Sequence, residues 1–403
     1  MKPTISLMKA VLLAGAATMA MHTAAGATDK PIKIGFAIAQ SGWMFAYDKA
    51  PFEAAQLKID EINAAGGLLG RKIEFEVKDT RTDQEQSSRA GSELVQSGVD
   101  LLIVSSDYDF GAPAALAAQA GGVVAISPGA ADPKMGAQGV GPFVFTANGA
   151  AQLEGIDMAE WAYERQGIRN PYVLEDQSIE YSKSGCAGFR SAWKELSPDK
   201  PLAGSSVFSG SDISIAAQIT DFKAISPAPD AIFLCSVTPG GASAIRQVRA
   251  AGIEVPILAN VGMTDDYWLG AVPNLSNFYV PTFMSIFGDD PRPELNTFLK
   301  AYEAKYGKRP ESAYAVLGYS LIEQWKIAVE RAGTTEAAAV TAELEKFKDE
   351  PLTIGPTSYS ADRHIQVNRP LLIMEVQNGK HKSLEVWRNK QIPSTELLFR
   401  VGD

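Results

Sequence analysis

The richest run of reactive side chains in the sequence is Ser105-Ser106-Asp107-Tyr108-Asp109-Phe110-Gly111. Its two carboxylates can bond an ammonium or a hydroxyl group, or cap a helix whose first N–H groups lack partners. They repel an anion. Tyr108 and Phe110 can stack on a planar molecule. A second run, Gln40 to Tyr47, holds Trp43, Phe45 and Tyr47 close together. These residue types grip a small molecule.

Catalytic patterns are missing from the sequence. Its three histidines are His22, His364 and His381. The first falls in the leader described below, and the other two lie near the C-terminal strands. No G-x-S-x-G, H-E-x-x-H or Walker A pattern occurs. Gly66-Gly67-Leu68-Leu69-Gly70 follows a helix and precedes a strand, the wrong context for a dinucleotide fingerprint, and reads as a turn. The two cysteines, Cys186 and Cys235, lack metal-ligand spacing. Two buried thiols are the favoured reading, on the burial habit of free cysteine. An oxidising compartment also permits a disulfide. No enzyme activity, metal or cofactor is expected.

Lys2 and Lys9 precede an apolar stretch, Ala10 to Ala20, and then Ala24-Ala25-Gly26-Ala27 before a polar segment. That order predicts a cleavable secretory signal over residues 1–27, with periplasmic delivery. The apolar stretch is shorter than the roughly 20 residues that span a bilayer. The formal charge is −10, which argues against nucleic acid and anionic membranes as partners.

The elements that must position these residues alternate. Ile32–Ile38, Lys72–Lys78, Asp100–Val104 and Val123–Ile126 read as strands. Between them, Pro51–Ala64, Gln84–Gln96 and Ala112–Ala120 read as helices. Continuous apolar runs such as Leu101-Leu102-Ile103-Val104 suit strands covered on both faces. This order predicts a parallel, doubly wound α/β sheet. After Phe143–Phe145 the pattern restarts and builds a second unit through Val255–Leu258. The last third holds strand Phe278–Thr282, three helices and a hairpin around Asn378-Gly379. The expected fold is two Rossmann-like lobes joined by a three-crossing hinge. Lobe 1 takes residues 28–146 and 276–350, and lobe 2 takes 147–275 and 351–403.

Four segments in order carry a family resemblance: Ile59 to Ile73, Ile126-Ser127-Pro128-Gly129-Ala130, Ser243 to Gly252, and Tyr314 to Gly333. Together they resemble the type I periplasmic solute-binding proteins of the branched-chain amino acid (Leu/Ile/Val-binding) family, from about Lys33 to Gly379. The resemblance implies a monomer that encloses a small molecule between its lobes and delivers it to an inner-membrane ABC permease. A ligand-sensing receptor subunit of the same fold is the alternative.

It also implies a site map. Lobe 1 offers Trp43 and Tyr47, then Asp107, Tyr108, Asp109 and Phe110, then Gly129, Ala130 and Ala131. Lobe 2 offers Tyr181, Val237, Thr238, Val261 and Met263. Four positions depart from the family pattern. Asp107 and Asp109 bring negative charge to a loop that usually grips a carboxylate. Ala131 lacks the usual Thr hydroxyl. Val261 stands where an acid often pairs with an amino group, so a plain α-amino acid would need another anion, such as Asp107, Asp109, Asp265 or Asp266. An aromatic or less polar ligand becomes the better match.

Overall fold

The computed structural model describes residues 30–401, so the signal expected over residues 1–27 lies outside them. The first sheet contains β1 (Ile32–Ile38), β2 (Ile73–Asp79), β3 (Leu101–Val104), β4 (Val124–Ser127) and β5 (Val144–Thr146). All neighbours are parallel, in the order β2-β1-β3-β4-β5. Their crossovers are α1 (Phe45–Ala64), α2 (Gln84–Gln96) and α3 (Tyr108–Gly121). Both β3 and β4 are buried throughout, as apolar strands covered on two faces must be.

The second sheet begins after α4 (Ala151–Trp161), with β6 (Pro171–Asp176), α5 (Glu180–Leu196), β7 (Gly204–Phe208), α6 (Ala216–Ala224), β8 (Ala231–Cys235), α7 (Gly240–Ala250), β9 (Ile257–Ala259) and β10 (Phe278–Thr282). The chain then returns to the first lobe with α8 (Pro293–Tyr306), α9 (Ala315–Ala332) and α10 (Ala337–Leu344). A small hairpin, β11 (Glu350–Leu352) and β12 (Gly355–Thr357), packs beside α9. The hairpin β13 (Leu371–Gln377) and β14 (Lys380–Trp387) completes the second sheet, and α11 (Thr395–Leu398) follows. The order is β14-β13-β10-β9-β8-β6-β7. Asn378 and Gly379 both take positive φ at the turn of this hairpin, 51° and 71°, as a type I′ turn requires.

Three expectations change. The lobe boundaries shift, because β10 pairs with β9 and β13 and so belongs to the second sheet. The chain leaves that sheet after Thr282 instead of at 276, and re-enters it at Leu371 instead of 351. Second, α3 starts at Tyr108, which places Tyr108, Asp109 and Phe110 in its first turn instead of in a loop. Third, α1 starts at Phe45 with Pro51 inside it. Pro51 has no N–H for the carbonyl of Tyr47. That carbonyl instead accepts a hydrogen bond from Ser106 Oγ at 3.2 Å. α9 crosses at the same place, where a Cβ on Gly318 would stand 2.0 Å from the Pro51 carbonyl oxygen. Only glycine permits this approach.

Cys186 and Cys235 form a disulfide, so the reading as two free thiols is wrong. Both sulfurs are fully buried, which explains why the burial habit misled. The bond ties α5 to the end of β8.

Candidate ligand-binding cleft

The two sheets present the carboxyl ends of their parallel strands to one another. A narrow cavity of ≈ 20 Å³ lies there. Trp43 and Tyr47 reach it from the segment after β1, Ser106 and Asp107 from after β3, and Gly129 from after β4. Ile179 and Tyr181 reach it from after β6, and Val237 from after β8. Met44 and Tyr314 complete the lining. Every one of these except Tyr314 follows a strand end, the position where doubly wound sheets bind ligands.

Aromatic rings meet at near right angles along the first-lobe wall. Trp43 and Tyr47 are 6.1 Å apart at 84°, Trp43 and Phe110 5.4 Å at 86°, and Tyr47 and Tyr314 5.5 Å at 76°. Edge-to-face pairs of this kind add about 0.5–1.5 kcal/mol beyond burial.

Hydrogen bonds cross between the lobes. The Tyr47 phenol accepts from the Thr238 N–H at 2.9 Å and donates to the Gly262 carbonyl at 2.9 Å. Asp109 Oδ2 accepts the Glu180 N–H at 2.9 Å. Glu180 is the first residue of α5, so one lobe caps a helix of the other. Asp132 Oδ2 accepts from Ser184 Oγ at 2.7 Å, and Lys134 bonds Glu180 at 2.5 Å. On the other side, Asp265 accepts the Ala313 N–H at 2.9 Å and Asp266 pairs with Arg309 at 2.7 Å.

The electrostatics follow from burial. Burial pushes Glu154 up to about 8, against the opposing bonds from Tyr181 and the Val261 N–H. Burial likewise pushes Asp265 up to about 7. Asp107 is raised well above the usual carboxylate range by burial and by its neighbours Asp109 and Asp132. At Glu180 partial burial acts upward, yet bonds from Lys134 and Lys183 and the field of Arg400 outweigh it and hold the group at about 2.

Two wider grooves flank the cavity. One, ≈ 730 Å³, is lined by charged side chains such as Lys183, Arg190 and Arg400, several of which are paired with Glu175 or Glu180. The other, ≈ 580 Å³, shares Trp43 with the cavity and is also lined by Phe45, Tyr267 and Trp268. The described residues contain no cluster of His, Cys, Asp and Glu that could hold a metal. None of their helices is long and apolar enough to cross a membrane.

Known proteins share this architecture. The sequence profile of the periplasmic binding protein family matches residues 31–381. The chain belongs to that family. A Leu/Ile/Val-binding protein homolog of Brucella melitensis is 24% identical over 355 residues, covering 86% of this chain and 91% of its own. The branched-chain amino acid transporter substrate-binding protein LivJ of Streptococcus pneumoniae, solved with isoleucine, superposes with a TM-score of 0.78 at 27% identity. That alignment covers 89% of this chain and 100% of LivJ. A solute-binding protein of an ABC transporter from R. palustris, solved with benzoate, has a TM-score of 0.72 at 20% identity, covering 89% and 96%. The two-lobed type I fold and the solute-binding class therefore hold for this binding protein.

Of the residues expected to touch a ligand, Trp43, Tyr47, Asp107, Gly129, Tyr181 and Val237 line the cavity. Phe110 backs Trp43, and Ala131 packs against Tyr181 and Ile179. Asp109 and Thr238 bond the opposite lobe instead. Val261 is buried, with its N–H on Glu154 Oε2 at 2.9 Å. Three others sit away from the cavity. Met263 fills the second-lobe core beside Gly241, Tyr108 lies beside Lys134, and the Ala130 N–H is bonded to Ser127 Oγ at 3.0 Å.

Sequence reasoning missed Met44, Ile179, Tyr314 and Glu154. Tyr314 begins a helix already recognised as a family segment, and that was the available signal. Glu154 gave none, since it lies within a long helix far from any cleft loop in sequence. Its Oε2 accepts both the Val261 N–H and the Tyr181 hydroxyl, the latter at 2.6 Å.

Proposed function

We propose that this protein is the exported solute receptor of an ABC importer. The signal over residues 1–27 directs it to the periplasm and is removed. The mature monomer captures one small molecule between its lobes, closes, and presents the closed form to an inner-membrane permease. It breaks no bond in its cargo. The passages at 147–150, 283–292 and 358–370 form the hinge. Trp43, Tyr47, Asp107, Gly129, Tyr181 and Val237 form the binding surface, which suits a ligand less polar than a plain α-amino acid.

One observation carries this reading: strand ends from two separate sheets converge on a single aromatic and acidic cavity. Its ≈ 20 Å³ matches about one or two waters, whereas ligand pockets run to roughly 300–1,000 Å³. Capture therefore needs the lobes to part, the motion expected of a hinged pair.

A thermal-shift screen over amines, amino acids, aromatic acids, amides and polyols tests the reading, since a bound ligand raises Tm by mass action. Small-angle scattering with a hit should show compaction. A saturating hit that leaves the scattering curve unchanged would reject closure.

A further inference from the structure

Acceptors face the cleft from both lobes, and the serine donors of the first lobe are already used, while Trp43 and Tyr314 bring an indole N–H and a hydroxyl to the lining. The Ser106 N–H and Ser105 Oγ both donate to Asp48, at 2.7 Å each, and Ser106 Oγ donates to the Tyr47 carbonyl. The Tyr47 hydroxyl is used on both sides by Thr238 and Gly262. On the second lobe, the Tyr181 hydroxyl donates to Glu154 Oε2 and accepts the Gly262 N–H at 2.7 Å. A phenol has one proton and two lone pairs, so what Tyr181 retains is an acceptor. Across the cavity Asp107 is a second acceptor. It is 6% exposed, and its Oδ1 takes the Asp109 N–H at 2.9 Å. Burial and its acidic neighbours oppose its charge; a bound cation would restore the carboxylate, which has about four acceptor positions, most of them open.

No Lys, Arg or His lines this cavity. The nearby cations Lys134, Lys183 and Arg400 are bonded to Glu180. Asp109 and Asp132 add to the negative field at Asp107. A carboxylate entering here meets the negative field of Asp109 and Asp132, with no cation on the lining to pair with. An ammonium meets an unpaired acid and perpendicular aromatic rings, the surroundings that favour organic cations.

Accepting the receptor reading above, we infer that the cargo is an organic amine lacking a free carboxylate, its ammonium group held between Asp107 of one lobe and Tyr181 of the other. This separates the chain from the two structural relatives, whose isoleucine and benzoate both carry carboxylates. A buried ammonium needs a counter-anion, and Asp107 gains the partner it lacks.

Calorimetry and thermal shift on the mature chain test this with tyramine and phenethylamine, against phenylalanine, 3-phenylpropionate and 2-phenylethanol. The amines should raise Tm and bind at least tenfold tighter than every compound bearing a carboxylate. Asp107→Asn should weaken amine binding at least tenfold while still folding, because asparagine caps a helix as well as aspartate. Amines that fail to bind, carboxylates that bind as well, or an unaffected Asn variant would each overturn the inference. The receptor reading survives those results if another compound in the broad screen binds and compacts the chain.

Discussion

The phenol oxygen of Tyr47 lies 2.9 Å from the Thr238 nitrogen and 2.9 Å from the Gly262 oxygen, so a single atom of the first lobe joins two turns of the second. Tyr47→Phe removes both bonds and leaves a buried N–H and carbonyl unmet, at a cost of about 1–3 kcal/mol. The closed-to-open ratio should fall at least fivefold, read as a larger radius of gyration and weaker ligand binding. An unchanged radius would show that this clasp does not hold the lobes.

Asp109 acts at the opposite end of the cleft, on the Glu180 N–H. Asp109→Ala removes a cap worth about 0.5–2 kcal/mol, but only in the closed form. Ligand dissociation should accelerate roughly two- to thirtyfold in stopped-flow traces. The melting temperature of the ligand-free chain should stay unchanged.

Glu154 sets a pH dependence. Its folded pKa, about 8, exceeds the ordinary glutamate value of about 4.3. As pH rises above 4.3 the unfolded chain gives up this proton first, so stability falls, and the loss is complete above pH 8. Glu154→Gln should flatten this part of the Tm-versus-pH curve between about pH 5 and 8, with Asp265 supplying the remainder in the same direction. Parallel curves for the two proteins would refute the assignment.

The Cys186–Cys235 bond closes a 49-residue separation, for which chain entropy suggests about 4 kcal/mol. Reduction, or the double Ala variant, should lower the unfolding free energy of the second lobe by that order, read as an earlier denaturant midpoint. It should also weaken binding, because the bond joins the helix that carries Tyr181 to the strand that leads to Val237 and Thr238.

Arg400 lies beyond the family match at residue 381. It bonds Glu180 of the second lobe and stands 3.8 Å from Asp132 of the first. Arg400→Ala should shift the closed population by up to roughly fivefold, about 1 kcal/mol for a partly exposed pair. High salt should mimic the substitution in scattering measurements.

Most of the architecture was legible in the sequence because strand and helix periodicities are local. The second-sheet strands, the Asn378-Gly379 turn and most helices fall within a few residues of their expected bounds. What failed depends on distant partners. β10 reads as a strand in any sheet, and its pairing with β13 assigns it to the second lobe. Pro51 resembles a helix start until Ser106, from another loop, takes the orphaned carbonyl. Asp109 reads as an ordinary helix cap, and only folding shows that the helix it caps belongs to the other lobe. Glu154 was invisible because a carboxylate inside a helix has no signature until its neighbours are known.

Pro51 has a consequence beyond its own helix. Any other residue there would bring an amide proton to the Tyr47 carbonyl and compete with the Ser106 hydroxyl for it. Winning would release the serine to the cleft and return to it the donor now withheld. Selectivity for cargo could thus be retuned by exchanging an imino acid that never meets the cargo, with the helix backbone passing the change along.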